Sequence, residues 1–370
     1  MRHPKIGLII FLSAAVLVLA AILYLSKQIN ALTISNSQAA AESQSQTLIP
    51  PTKTEAVDPV VAEPAPIPPL NFLFLGDIML DRHVGEKIKA KGVDYLFTNL
   101  ATSSFWNGYD LVGANLEGAV TNGGQHYAPA YSNDFAFAPK IVEQLKKYNF
   151  NFFTIANNHL TDQSAKGVLE TEKNLTSLGF NFVGAPDATI SSSSSKIIEI
   201  NGQRIGLAGF SMVYHPFDKA EAMKIIKDLK TKSDLVIVNI HWGTEYEHQF
   251  SKQQQSLAHE FIDSGADVII GHHPHVVQGM EVYNNKPIFY SLGNFIFDQY
   301  FSSDTQEGLA VSFNFSDQNL KLNLFPLVSK SAVPSLMSTT SRGIFLEKFI
   351  KWSKVDDGVK EQIKEGEISF

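Results

Sequence analysis

Short continuous apolar runs, each ending at a polar signature, set the pattern of this chain. Leu70-Asn71-Phe72-Leu73-Phe74-Leu75 stops at Gly76-Asp77, and comparable runs cover residues 111–114, 150–156, 235–240 and 267–270. Runs this short, apolar at nearly every position, predict strands buried on both faces. Between them the pattern turns helix-like: residues 139–148 with Pro139 at the start, 165–178 before Gly179, 219–230, and 252–264 before Gly265. Alternating strand and helix signals predict an α/β domain. Residues 196–200 and 204–210 flank Asn201-Gly202, a strong hairpin signal, and further turns are expected at Asn284-Asn285 and at 316–319. The sheets are therefore expected to be mixed. The Ser/Thr-rich piece 329–341 reads as a loop before a last helix over 344–352.

The N-terminal pattern is different. Residues 6–26 carry no charge, and as a helix they would be about 32 Å long, enough to cross a hydrocarbon core of about 30 Å once. A cleaved signal peptide has a shorter apolar region followed by a small-x-small site, so an uncleaved single-pass anchor is expected, with Tyr24 and Lys27 at its interfacial edge. Arg2 and Lys5 precede the span and only Lys27 follows closely, which leaves the N-terminus in the cytoplasm and the rest outside. Residues 28–69, rich in Ser, Gln, Ala and Pro and ending in Pro64-Ala65-Pro66-Ile67-Pro68-Pro69, read as a tether. The expected division is a cytoplasmic stub and anchor at 1–27, a linker at 28–69, a domain at 70–300, and a segment 301–370 that completes or flanks it.

Composition narrows the chemistry. With 37 acidic against 30 basic residues the net charge is −7, and no basic stripe appears that would suit nucleic acid, which is excluded as a partner. There is no cysteine, so disulfides, thiolate nucleophiles and Cys-ligated zinc are excluded as well. Any metal must be held by His, Asp, Glu and Asn.

The polar signatures fall at or just after the C-terminal ends of the apolar runs: Asp77, Glu117, Asn157-Asn158-His159, His241 and Gly271-His272-His273-Pro274-His275. In α/β sheets that edge is where sites are built. Three imidazoles at one junction suit a divalent cation, because protonated rings repel one another whereas a cation takes neutral imidazole. On an extended segment His273 and His275 point the same way, Pro274 stiffens the spacing, and His272 faces opposite as support. Asp77 can ligate a hard cation and Arg82 can reach a phosphate, although a strand-end Asp also serves as a turn or helix cap. Glu117, beside Asn115, suits a bridge between two cations or a loop salt bridge. Asn158 offers a carbonyl oxygen, and His159 with Asp162 nearby forms an oriented imidazole for proton transfer. His241 is a candidate ligand, and Trp242 and Tyr246 either shape a pocket wall or pack. Asn294 and Asp298 read as supporting groups. His3, His83, His126, His215, His248 and His259 read as ordinary structural or surface histidines.

In this order the residues resemble the five-block layout of the calcineurin-like metallophosphoesterases. More closely, Gly76 to Arg82, Asn115-Leu116-Glu117, Asn157-Asn158-His159-x-x-Asp162, His241-Trp242-Gly243-x-Glu245-Tyr246, Gly271 to Gln278 and Gly293-Asn294-Phe295 resemble the CapA-type family of poly-γ-glutamate capsule synthesis proteins, over about residues 71–300. The resemblance implies a metallophosphatase-like αββα sandwich anchored to the bacterial cell membrane. It implies one or two divalent ions, Mn, Fe or Zn, at Asp77, Glu117, Asn158, His241, His273 and His275, with His159 as the catalytic or phosphate-contacting imidazole. Asn115, Asn157, His272 and Asn294 would support them. Two positions depart from the phosphoesterase pattern: Met79 stands where a histidine is usual, and Glu117 where an Asp is usual.

Two functions follow as expectations. One is an extracytoplasmic metal-dependent hydrolase of a phosphoester-like substrate, in which His159 protonates the leaving oxygen and Arg82 neutralises substrate charge. The other is a non-catalytic accessory subunit of a membrane complex that polymerises or exports the anionic polymer, with synthetase and export subunits as partners. A surface binding module lacks support, since no aromatic repeat or acidic calcium loop is present.

Overall fold

Strand β1 (Leu70–Ile78) shows why the apolar runs lack a polar face. Phe72 and Phe74 enter one core while Leu73 and Leu75 enter another, so both faces of the strand are covered. The computed structural model describes residues 68–101, 104–126, 133–316 and 319–370. The expected span at 6–26 and the linker up to residue 67 lie outside the described residues. Among those described, no helix is long and apolar enough to cross a membrane.

The other strands are β2 (Leu111–Leu116), β3 (Ala119–Val120), β4 (Ala136–Phe137), β5 (Phe152–Thr154), β6 (Asn181–Val183), β7 (Ser195–Ile200), β8 (Gln203–Met212) and β9 (Leu235–Trp242). There follow β10 (Val268–His272), β11 (Val277–Tyr283), β12 (Lys286–Leu292), β13 (Asn294–Ile296), β14 (Glu307–Ser316), β15 (Asn319–Lys330), β16 (Val333–Leu336) and β17 (Glu367–Ser369). The helices are α1 (Arg82–Lys91), α2 (Pro139–Glu143), α3 (Ser164–Ser177), α4 (Lys219–Lys232), α5 (Lys252–Asp263), α6 (Thr339–Trp352) and α7 (Asp357–Glu365).

One sheet runs β16-β15-β14-β1-β2-β5-β6, with β13 added beside β1 and β17 beside β15; the other runs β11-β12-β10-β9-β8-β7. Both are mixed: β1, β2, β5 and β6 are parallel in the first and β8, β9, β10 and β12 in the second, each flanked by antiparallel strands. Phe72, Phe74 and Phe313 of the first sheet meet Ile237, Ile270 and Phe289 of the second in the layer between them. Val84 and Ile88 of α1 with Leu175 of α3 cover the outer face of the first sheet. Ala222, Ile226 and Leu229 of α4, with Leu257, Ala258 and Phe261 of α5, cover the outer face of the second. The order of layers is helix, sheet, sheet, helix. Spacings of three and four residues on α4 and α5 are what a one-sided helical stripe requires.

Three expectations need correction. Residues 139–148 are not one α-helix; α2 stops at Glu143 and Gln144–Tyr148 continues as a 3-10 turn. Residues 329–341 are not a loop. They finish β15, turn at Ser331 and Ala332, both at positive φ, and return as β16, whose Ser335 lies opposite Val328. The Ser/Thr-rich composition hides a strand here because β16 itself is only four residues, Val333 to Leu336, of which Val333 and Pro334 are buried. The helix beginning at Thr339 is not the last element, since α7 and β17 follow and β17 re-enters the first sheet. Helix α1 had no apolar run to announce it; Asp81 caps its start by accepting from Arg82 N at 2.7 Å, and Gly92 ends it at φ 81°.

One close approach fixes the centre of the first sheet. The Gly293 carbonyl accepts the Asp77 N–H at 2.9 Å, and a Cβ on Gly76 would lie 1.9 Å from that same oxygen. Gly76→Ala should therefore lower unfolding free energy by roughly 2–4 kcal/mol, because the obstacle is backbone and cannot rotate away. Urea denaturation checks this, and an unchanged midpoint would contradict the close approach.

Candidate metal and active site

The two sheets deliver their polar residues to one end of the sandwich. Asp77 on β1 is level with Asn115 on β2 and with Asn294 on β13, while His272 at the end of β10 is level with His241 on β9. All five are buried. The parallel strands end together, so residues far apart in the chain arrive side by side.

Asp77 is the junction. Its Oδ1 accepts from Asn115 Nδ2 at 2.9 Å and lies 3.1 Å from His272 Nδ1, while its Oδ2 lies 3.5 Å from His275 Nδ1 and 3.4 Å from the His273 amide. Asn115 Nδ2 also faces Glu117 Oε2 at 3.1 Å and His241 Nδ1 at 3.3 Å, and its Oδ1 accepts from Asn157 Nδ2 at 3.1 Å. His241 Nε2 meets Asn158 Oδ1 at 2.8 Å and His273 Nδ1 at 3.2 Å. His275 Nδ1 is 3.0 Å from Asn294 Oδ1.

Two buried atoms are left over. Glu117 Oε1 has no hydrogen-bond partner, although His275 Nε2 at 3.7 Å and His159 Nε2 at 3.8 Å face it. His272 Nε2 is likewise buried without one. An orphaned carboxylate oxygen in a dry pocket is costly unless a cation or a polar ligand completes it. Asp77, Glu117 and His241 form one group whose donor atoms lie within 4.8 Å of one another, and Glu245, His273 and His275 form a second. Carboxylate, imidazole and amide oxygen, with no sulfur, fit a divalent cation, and each of the two groups could hold one ion.

The electrostatics of the metal-free pocket agree with that fit. Burial would raise the Asp77 carboxyl, but hydrogen bonds from His272 and His275 hold it well below its ordinary value. Burial pushes Glu117 up to about 7 against the pull of His275. Burial and the neighbouring His273 hold His241 well below its ordinary value, and burial with His275 brings His273 down to about 4. Those two rings are neutral at pH 7, the form in which imidazole binds metal. His275 is the exception: burial opposes its charge, yet Glu117 and Asp77 raise it to about 9. It stands in as the positive charge among the carboxylates.

The opposite wall holds proton-transfer and anion-binding groups. Asp162 Oδ2 lies 2.7 Å from His159 Nδ1 and also accepts the Phe135 N–H at 2.7 Å, and the Phe135 ring stacks on His159 at 4.1 Å. Held in this way, His159 turns Nε2 toward Glu117. Arg82 forms an ion pair with Asp298, and its guanidinium lies 4.9 Å from the Phe135 ring centre and 5.5 Å from that of Phe297. A cavity of about 200 Å³ opens between them, lined among others by Arg82, His159, Glu245, Tyr246 and His275.

The structure thus brings together Asp77, Asn115, Glu117, Asn157, Asn158, His159, His241, His272, His273, His275 and Asn294, with Arg82 and Asp162 at the cavity. It differs from expectation in how the histidine cluster is built. His273 and His275 are not on an extended segment; β10 ends at His272, and φ is 98° at His273 and 59° at His275. A turn in the left-handed region converges the rings, at a backbone cost typical of functional sites. Trp242 is packing, fully buried on Tyr290, whereas Tyr246 is wall. Met79 is buried in the outer core with its Sδ 3.0 Å from Asp81 N, because the chain leaves β1 at Ile78 and turns that side chain away from the pocket. Sequence reasoning missed Glu245, three residues after the end of β9, and Tyr214, whose hydroxyl accepts from Asn158 Nδ2 at 3.3 Å. Glu245 is recoverable from its place in the His241 block; Tyr214, in a loop without a signature, is not.

The family model described as bacterial capsule synthesis protein PGA_cap matches residues 71–299. The capsule biosynthesis protein CapA of Bacillus anthracis is 33% identical over 339 residues, covering 82% of this chain and 80% of that protein. The PGA biosynthesis protein CapA of Bacillus subtilis is 29% identical over 317 residues, covering 81% and 82% respectively. Among solved structures, a novel phosphatase from Mycoplasma pneumoniae aligns at 18% identity with a TM-score of 0.44, covering 74% of this chain and 92% of that one.

A pH dependence follows for the protein stripped of metal by chelation. His273 is held near 4 against an ordinary 6.5, so unfolding takes up a proton between those values and stability falls as pH drops through that window, levelling off below it. His241 acts in the same sense. His273→Ala should remove on the order of 2 kcal/mol of the difference between pH 6.5 and 4. Urea unfolding at the two pH values measures it, and parallel behaviour of variant and parent would show that the ring is not held neutral.

Proposed function

Since the chain belongs to the bacterial capsule synthesis protein family, we propose that it is a metal-dependent phosphoester hydrolase acting in capsule synthesis or export. The cation groups at Asp77, Glu117 and His241 and at Glu245, His273 and His275, set beside the His159–Asp162 pair, carry this reading. Asn158 adds an amide oxygen against His241. A divalent ion bound there would supply charge for a phosphoryl group and acidify a water.

The chain's own residues supply the rest. Asp162 orients the His159 ring by accepting from Nδ1, so that Nε2, when it too carries a proton, can pass that proton to the leaving oxygen and be left as neutral imidazole. Arg82, immobilised by Asp298 and two aromatic rings, presents positive charge to the cavity without reorganising. Asn115, Asn157, His272 and Asn294 hold the carboxylates and imidazoles in place. The anchor at residues 6–26 would tether this domain to the outer face of the bacterial cell membrane, beside synthetase and export subunits. The second reading, a non-catalytic accessory subunit, is favoured by one observation: Met79 offers no nitrogen where a ligand is usual, which leaves the first group a donor short.

Metal analysis and kinetics separate the two. The purified full-length protein should carry one to two equivalents of Mn, Fe or Zn and hydrolyse a chromogenic phosphoester. His159→Ala should lower kcat/KM by about 100-fold with metal content retained, and Asp77→Asn should lower both. A metal-loaded parent with no turnover, or turnover in both variants unchanged from the parent, would transfer support to the accessory role.

A further inference from the structure

A second cavity, of about 350 Å³, adjoins the one that holds Arg82 and His159. Tyr214 lines both, and the loop after β9 serves both: Gly243 and Thr244 face the second cavity, Glu245 and Tyr246 the first. The chemistry of the two differs. Among the described residues the second cavity is lined by no Lys, Arg, Asp or Glu; it offers Tyr214, His215, Thr244, Gln253 and Gln254. Gln254 is already engaged, accepting from Ser251 N at 2.8 Å and donating to Gln278 Oε1 at 2.9 Å. Thr244 and Gln253 are exposed.

Tyr214 is built to present a ring at the border. Asp187 anchors its loop by accepting from Ser211 Oγ at 2.6 Å, Val213 N at 2.8 Å and Tyr214 N at 3.0 Å. The side chain nonetheless stays 68% exposed. A rigidly placed aromatic open to solvent, beside neutral hydroxyl and amide groups, matches a ligand with one apolar face and a rim of hydroxyls.

We propose that this second cavity binds the non-phosphorylated part of the substrate, and that this part is an uncharged, polyhydroxylated ring of the sugar class. The proposal rests on the phosphoester-hydrolase reading. Charge decides against the anionic polymer itself as the group bound there. A γ-linked glutamate chain brings a carboxylate with every unit, yet among the described residues no Lys or Arg lines the second cavity; Arg82 and His275 face the first. Carboxylates entering an unpaired neutral cavity would lose hydration without compensation.

The test uses the full-length protein reconstituted with Mn(II) and three substrates: p-nitrophenyl phosphate, a hexose 6-phosphate and O-phosphoserine. The hexose phosphate should be preferred over O-phosphoserine. Gln253→Ala and Thr244→Ala should each raise its KM about fivefold, the loss of one hydrogen bond, while p-nitrophenyl phosphate turnover stays within about twofold. Saturation-transfer NMR with methyl glucoside on the metal-free protein gives a readout independent of catalysis, and the signal should weaken in both variants. No methyl glucoside signal, a signal indifferent to both substitutions, or a preference for O-phosphoserine overturns the proposal. If p-nitrophenyl phosphate is not hydrolysed while the signal behaves as expected, the hydrolase reading falls and the sugar subsite stands.

Discussion

A single buried carboxylate ties the two sheets together. Asp77 belongs to the first sheet, and the second sheet with the turn that leaves it supplies His272, the His273 amide and His275 around its oxygens. Each of these contacts spans the sandwich at the end where its parallel strands stop. Sliding one sheet against the other would leave a buried charge with Asn115 of its own sheet but without the His272, His273 and His275 groups, a state that costs several kcal/mol. The relative position of the sheets is therefore set at the site as much as in the aromatic layer between them. The same approach carries the demand on Gly76, because a Cβ there would collide with the Gly293 carbonyl that accepts the Asp77 amide.

Polar residues are confined to the site side of this frame with little redundancy. Asn115 alone bridges Asp77, Glu117, His241 and Asn157. Such an amide hub orders two carboxylates and an imidazole without adding charge of its own, so the acidic groups are spaced while the pocket keeps its affinity for a cation. Membership in the capsule synthesis family accounts for the biological setting. The pocket itself is a buried carboxylate and imidazole cluster beside one guanidinium held by Asp298.

Much of this was legible before any coordinates. Continuous apolar runs identified the central strands because those strands are covered on both faces, and the polar residue at the end of each run marked the edge where the site forms. The tail was less legible for a physical reason: β16 is a four-residue edge strand, too short to show a hydrophobic repeat, and its Pro334 reads as a strand breaker. The geometry of His273 and His275 could not be read either, since left-handed backbone at a non-glycine residue is imposed by surrounding contacts. Glu245 was overlooked because it is an exposed acid, a type whose surface role is common, and only its proximity to two imidazoles distinguishes it.

Arg82 illustrates a consequence of the way the cavity wall is made. Its own amide starts α1 through Asp81, Asp81 in turn accepts the Ala136 N–H at 2.7 Å, and Asp298 holds both the guanidinium and the His83 amide. The rotamer entropy of a long flexible side chain, on the order of 2 kcal/mol, is thus given up when the domain folds and not when a ligand arrives. An anion entering this cavity meets a charge whose position is already settled, so association can be fast and need not await rearrangement of the wall.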